Sequence, residues 1–322
     1  MKGMKKILFV ALAAVLAMSC TSQEPATPKV YMTTDISPEG LVKVYEALGV
    51  DFEGKVAVKI STGEPGGHNF LRADLIKDLV NKVEGTIVEF NVAYPGPRYT
   101  NEAHWQTIKD HGFYAIAPCD ILDEFGEIRI PVKDTTHLKF NIVGEHINNY
   151  DWMINLAHFK GHAMGGFGGV LKNQSIGVAS SNGKAYIHSA GKVETKEELW
   201  AGIGATEHDH FLEAMASAAQ SIHDFYEGRM VYINVMNNLS VDCDCNAHPA
   251  DPEMGDVGIL ASFDPVALDQ ACVDLVFNYP SEEGDDAAAL IERINSRHGV
   301  HIIEHAEKIG LGSRTYQLVK ID

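Results

Sequence analysis

Two short stretches carry side chains that could do chemistry. The first, Asn155 to Lys184, packs two histidines, three lysines and seven glycines into thirty residues. The run Asp151 to Leu156 at its start reads as a strand entering the interior, which sets His158, Lys160, Gly161 and His162 at a carboxyl end. In open α/β sheets, ligands sit at that end. His158 and His162 are candidate acid–base groups, because imidazole titrates near neutrality, and Lys160 stands between them. Lys160, Lys172 and Lys184 would supply charge to an anion. The run Gly165-Gly166-Phe167-Gly168-Gly169 would let backbone N–H groups approach that anion at the start of a helix carrying Lys172 and Asn173. The bland alternative is a flexible glycine loop with solvated lysines. The pattern is neither the Walker sequence nor G-x-G-x-x-G, so no nucleotide is implied.

The second stretch is Asp242-Cys243-Asp244-Cys245-Asn246-Ala247-His248. Two thiolates two residues apart and a histidine three further on can reach one soft or borderline metal, with zinc or iron suiting two sulfurs and an imidazole. On an extended chain the thiols share one face and the aspartates the other. The alternatives are unligated thiols, or a disulfide with Cys119 or Cys272. Cys272 lies beside Ala271 and Val273 and reads as a packed core thiol. His301-Ile302-Ile303-Glu304-His305 has the H-x-x-E-H spacing of inverted zinc peptidases, but the chain offers no well-placed downstream carboxylate ligand. His208 and His210 read as surface groups.

The elements that must position these residues alternate between strand and helix. Lys55 to Ile60 reads as a strand that empties into a turn-rich loop with Lys59, Glu64 and His68. A helix over Leu71 to Val83 and a strand over Thr86 to Phe90 complete a βαβ unit, which implies a parallel pair. Arg98, Tyr99 and His104 are close enough in sequence to face the same crevice. Further strands are expected at 140–143, 152–156, 231–236 and 316–320. Helices are expected at 101–111, 197–226, 265–277, 285–296 and 299–309, the third opened by Asp264 as N-cap and Pro265. The expected fold is α/β: a mostly parallel or mixed sheet flanked by helices in Rossmann-like layers, forming one domain over residues 31–322.

Composition excludes some partners. The chain has 26 basic and 44 acidic residues, a net charge of −18. That balance argues against nucleic acid and against electrostatic docking on anionic lipid. Met1 to Ser19 begins with Lys2, Lys5 and Lys6 and continues with an apolar run from Ile7 to Met18. This is a secretory signal pattern, too short for a membrane span of about 20 residues. Ala17-Met18-Ser19-Cys20 resembles a bacterial lipobox, which implies cleavage before Cys20 and a lipid on its sulfur. Residues 20–30 would then be the lipidated cysteine and its tether, and the protein would sit in the bacterial cell envelope, facing periplasm or surface from the outer membrane. The mature net charge becomes −21 once three lysines are removed.

Taken together, several motifs resemble one family. They are His158-Phe159-Lys160-Gly161-His162, Gly166-Phe167-Gly168-Gly169, Lys172-Asn173, Gly183-Lys184, His188, Asp242-Cys243-Asp244-Cys245 and Asp264-Pro265-Val266-Ala267-Leu268-Asp269. Their order is similar to that of domain of unknown function family 362, whose members are often labelled Fe–S center proteins. The resemblance covers roughly residues 30–322 and implies iron–sulfur binding. Many members carry a ferredoxin-like insert with four thiolates per cluster. Here the corresponding region, 193–226, contains no cysteine. A mononuclear metal held by Cys243, Cys245 and His248 is therefore favoured over a 4Fe–4S cluster, which would need Cys119 or Cys272 as well, or non-thiolate ligands. Lys59, His68, Gly166, Gly168, Gly169, Lys172, Asn173 and Lys184 are expected to line a site for a small anionic molecule. Two other readings stand beside that one: a non-catalytic envelope protein that binds a small anion or cofactor, and a structural lipoprotein with disulfides. The sequence leaves the oligomeric state open.

Overall fold

The computed structural model describes residues 26–280 and 282–322. The expected signal segment, Cys20 and most of the tether lie outside them. The strands are β1 (Lys29–Thr33), β2 (Val56–Lys59), β3 (Thr86–Glu89), β4 (Cys119–Ile121), β5 (Glu127–Pro131), β6 (Phe140–Gly144), β7 (Trp152–His158), β8 (Lys160–His162), β9 (Gly166–Gly168), β10 (Met230–Met236), β11 (Gly258–Ser262) and β12 (Gln317–Lys320). The helices are α1 (Pro38–Glu46), α2 (Ala73–Lys82), α3 (Asn101–Asp110), α4 (Phe113–Ile116), α5 (Val170–Ser175), α6 (Ser181–His188), α7 (Leu199–Gly204), α8 (His208–Phe225), α9 (Pro265–Phe277), α10 (Ala288–Ser296) and α11 (His301–Lys308).

Eight strands form one sheet in the order β12-β1-β11-β10-β7-β2-β3-β4. The neighbours from β10 through β4 pair in parallel, while β11 runs antiparallel to both β1 and β10. The sheet is thus mixed and mostly parallel, in a single α/β domain, as the alternation of elements implied. Period-two burial builds its two faces. Val231, Ile233 and Val235 of β10 join the core shared with α1 to α4, whereas Met230, Tyr232 and Met236 join the core under α5, α6 and α8 to α11. Helices therefore cover both sides. The ribbon β5–β6 and the ribbon β8–β9 stand apart from the main sheet.

The chain lays β3 and β4 on one side of β2, then returns to lay β7 and β10 on the other. The order of winding reverses between β2 and β7, so a crevice opens beyond their carboxyl ends. Lys59 ends β2, Glu89 ends β3 and His158 ends β7, and the cysteine segment follows β10.

Two expectations needed correction. The long helix at 197–226 is broken: a 3-10 turn and α7 end at Gly204, and α8 begins at His208. The Thr206 hydroxyl donates within the break to Ser189 and Gly202 carbonyls, which closes α7 against α6. The expected strand at 140–143 exists as β6, but it pairs with β5 outside the main sheet.

Candidate metal centre and ligand cavity

The crevice holds a cavity of about 320 Å3. Lys59, Glu89 and Arg98 form part of its wall, and His158, Lys160, His162, Gly168, Gly169, Lys172, Asn173, Lys184, Cys243 and Cys245 form much of the rest. Phe90, Ile176, Leu199, Trp200 and Ile203 add an apolar portion.

On the β2–β3 side, buried charges are neutralised by one another. The Lys59 ammonium meets Glu89 Oε2 at 3.0 Å and donates to Asn173 Oδ1 at 3.2 Å. Arg98 reaches Glu64 Oε1 at 2.6 Å and Glu89 Oε1 at 3.2 Å, and Tyr94 donates to Glu64 at 2.6 Å. Burial would raise the Glu89 pKa, but Lys59 and Arg98 outweigh it and hold the carboxyl well below its usual range. His104 sits behind Arg98, its Nδ1 against Asn91 at 3.0 Å, and burial lowers its pKa to about 3. Asn173 ties this side to the sheet by donating to Asn155 Oδ1 at 2.7 Å.

On the β7–β8 side, Asp244 takes the central place. It meets His158 Nδ1 at hydrogen-bonding distance, 2.8 Å, and pairs electrostatically with the Lys160 ammonium at 2.9 Å. Burial opposes the charge of Asp244, while His158 and Lys160 favour it and keep the carboxyl ionised. His158 Nε2 also meets the Asn237 carbonyl at 2.6 Å, so both its ring nitrogens are committed to acceptors. Gly161 explains how the cysteine segment comes so close. Its N–H donates to Ser240 O at 2.7 Å, and a Cβ there would collide with the Val241 backbone.

Cys243, Cys245 and His162 then converge, with one potential ligand atom of each lying within 4.8 Å of the others. The Cys245 backbone N–H donates to Cys243 Sγ at 3.2 Å. The Cys245 thiol, the Lys172 charge and His162 all favour the anion, and they hold the Cys243 pKa well below its ordinary value despite burial. Cys245 moves the opposite way, because it supplies the hydrogen bond to Cys243 and is itself buried. His162 Nδ1 accepts the N–H groups of Met164 at 3.2 Å and Gly165 at 2.8 Å. Its ring proton therefore sits on Nε2, the nitrogen left to face the Cys243 sulfur. Burial and Lys172 lower the His162 pKa to about 4, so the ring is neutral at pH 7.

Two lysines in the wall differ from the others. Lys172 makes no ion pair among the described residues. Lys184 is buried and donates to the Ala179 carbonyl at 2.6 Å. Burial, only partly offset by Asp123 and Glu89, lowers its pKa to about 7.

Residues 56–274, more than half of the chain, match the family model described as domain of unknown function, DUF362. The chain belongs to the DUF362 family. No curated protein matches it. Among solved structures it is similar to the lactate racemase apoprotein from Thermoanaerobacterium thermosaccharolyticum, at 14% identity and a TM-score of 0.43, covering 76% of this chain and 56% of that one. It is also similar to a protein from Thermotoga maritima, at 13% identity and a TM-score of 0.44, covering 73% of this chain and 57% of that one. This chain thus spans little more than half the length of either neighbour.

In this DUF362 protein the cavity gathers most residues singled out from sequence. Several stand elsewhere. His248 is exposed, with its backbone N–H on Asn246 Oδ1 at 2.9 Å, and His162 takes the place beside the thiols that His248 was expected to fill. His68 is half-exposed and pairs with Asp251 at 3.3 Å. Gly166 packs against Gly299. Tyr99 lies outside the wall, under Lys196.

The expected anion site at the glycine run is also corrected. The N–H groups of Val170 and Leu171, which open α5, donate to the Asp269 carboxylate at 2.9 Å each. The chain's own carboxylate fills that position, and a Cβ on Gly169 would collide with it. Asn234 holds Asp269 at 2.8 Å. His158, expected as an acid–base group, has both ring nitrogens within hydrogen-bonding distance of the protein's own Asp244 and Asn237 carbonyl. All four cysteines among the described residues are free. Cys119 lies on the edge strand β4, and Cys272 is buried in the core, its sulfur accepting from Asn234 at 3.3 Å. Neither comes near Cys243 and Cys245, so the described residues offer no four-thiolate cluster site. Glu89, Tyr94 and Asp244 were missed as site residues, because only the fold reveals their partners.

Proposed function

We propose that this protein binds one zinc or iron ion through Cys243, Cys245 and His162 and uses it on a small anionic molecule with an apolar body. The observation that carries this reading is the convergence of those three donors on the wall of the cavity. Two sulfurs and one imidazole suit a borderline metal, and three protein ligands leave a coordination position for a substrate. The anionic group would meet Lys172, and the apolar body would lie on Phe90, Ile176 and Trp200. Lys184, with a pKa near 7, suits proton transfer at neutral pH. Ligation by His162 requires its proton to move from Nε2 to Nδ1, which displaces the Met164 and Gly165 amides. Metal loading is therefore expected to speed hydrogen exchange at those two amides. The lipobox-like sequence supports export and a lipid on Cys20, and Cys20→Ser should release the protein from membranes.

Elemental analysis of protein purified without oxygen tests the metal. One sulfur-bound ion per chain is expected, and the Cys243→Ser/Cys245→Ser variant should hold one ion fewer than the unaltered chain. Thermal shifts against small carboxylates and phosphates test the ligand. A compound that stabilises without being converted reduces the reading to binding alone.

The His162 tautomer favours a second reading. With Nε2–H facing a Cys243 thiolate, the pair could serve as a nucleophile or a redox dithiol. Metal-free protein in which Cys243 alkylates rapidly at pH 6 would select this reading over the first.

A further inference from the structure

A second group of donors lies on another face of the molecule, where the start of α8 meets the turn between α10 and α11. Asp209, His298 and His301 each present one ligand atom there, all within 4.8 Å of one another. His298 Nδ1 meets Asp209 Oδ1 at 2.8 Å. The His298 and His301 rings stack at 4.8 Å between centroids. One helical turn beyond Asp209, Glu213 accepts from His301 Nε2 at 3.1 Å and from His137 Nε2 at 2.6 Å. His305 meets Asp134 through Nε2 at 2.9 Å and lies 3.5 Å from Glu213 through Nδ1.

We propose that Asp209, His298 and His301 form a separate site for a borderline divalent cation of the zinc type. Two imidazoles and a carboxylate are a suitable donor set, and the partly exposed position leaves room for water to complete the shell. Glu213 does for His301 what carboxylates do behind metal-bound histidines: it fixes the tautomer and leaves Nδ1 with the lone pair. The strongly acidic chain raises the local concentration of cations. His298 has φ +49°, a left-handed conformation that non-glycine residues adopt infrequently, and it brings the ring to its two partners. The H-x-x-E-H segment thus contributes its first histidine to the donor group, while its second lies between Asp134 and Glu213. This site does not rest on the cavity metal.

The experiment is calorimetric titration of zinc chloride into the untagged full chain carrying Cys243→Ser/Cys245→Ser, which removes the thiol donors. One saturable equivalent of zinc is expected. Adding His298→Asn and His301→Ala should weaken binding at least tenfold; asparagine tolerates the left-handed backbone. Asp209→Asn, a surface change, should weaken binding in the same direction, and His68→Ala should leave it unchanged. Melting temperatures measured in EDTA should agree between variants, and zinc should raise the melting temperature only where the three donors are intact. No saturable zinc in the cysteine variant, or binding unaffected by both the Asp209 and the His298/His301 changes, would overturn the proposal.

Discussion

The two sides of the cavity use similar residues in different ways. At the ends of β2 and β3, Lys59, Glu89, Arg98 and Glu64 neutralise one another at hydrogen-bonding distance. On the opposite side, Asp244 balances His158 and Lys160, but Lys172, Cys243 and Cys245 are left facing the space. The first side is a scaffold whose charges are consumed in holding shape. The second has a scaffold of the same kind behind it and reactive groups in front. A lysine or histidine in the wall is therefore no sign of function by itself; what its charge or lone pair is already doing decides.

The largest expected effect comes from breaking the scaffold. Glu89→Gln leaves Lys59 and Arg98 buried with a lost counter-charge, and losing one member of a buried pair costs about 3–5 kcal/mol. Urea denaturation should show that loss, whereas a change below about 1 kcal/mol would mean the network is dispensable. Acid should act on the same groups. Glu89 and Asp244 have folded-state pKa values below their unfolded ones. The stability they contribute is therefore complete above the unfolded values near 4 and is lost as pH falls below that point. Stability that stays level from pH 5 to pH 2 would contradict the pairing.

Lys184 should give a smaller effect, a pH dependence of the same sign in a different, alkaline window. Its folded pKa is about 7, against roughly 10.4 when unfolded. Between those values only the unfolded chain holds the proton, so stability rises with pH across this window and is flat below it. Lys184→Met should remove that rise. An unchanged slope would mean that Lys184 is not the group responsible. The smallest effect is expected on the reactive side. Lys172→Ala should change stability by no more than about 0.5 kcal/mol, while weakening any small anion that stabilises the native chain. A loss as large as that of Glu89→Gln would erase the distinction between the two sides.

Much of this arrangement was legible in the sequence. The βαβ unit, the strand ending at His158 and the helix opened by Asp264 follow from local patterns, so the carboxyl-end crevice could be anticipated. Strand β11, with its short run of small and apolar residues, and the break before α8 could not, since tertiary contacts decide both. Spacing named His248 as the third donor because it is near the cysteines in sequence. The true neighbour, His162, arrives from β8, carried by the close approach at Gly161. The glycine run suggested an empty anion site, and only the packing of α9 shows that Asp269 already fills it. The alternation of thiols and aspartates did survive: Asp244 faces His158 and Lys160 while the sulfurs face His162.

The most direct test is X-ray absorption at the edge of whatever metal accompanies the anaerobically purified chain. Two sulfur scatterers are expected at about 2.3 Å and a nitrogen or oxygen shell at about 2.0–2.1 Å, as thiolate and imidazole ligation of zinc gives. The sulfur shell should vanish in Cys243→Ser/Cys245→Ser. Metal-free protein, or a metal bound only by nitrogen and oxygen, would contradict the assignment of Cys243, Cys245 and His162 as its ligands.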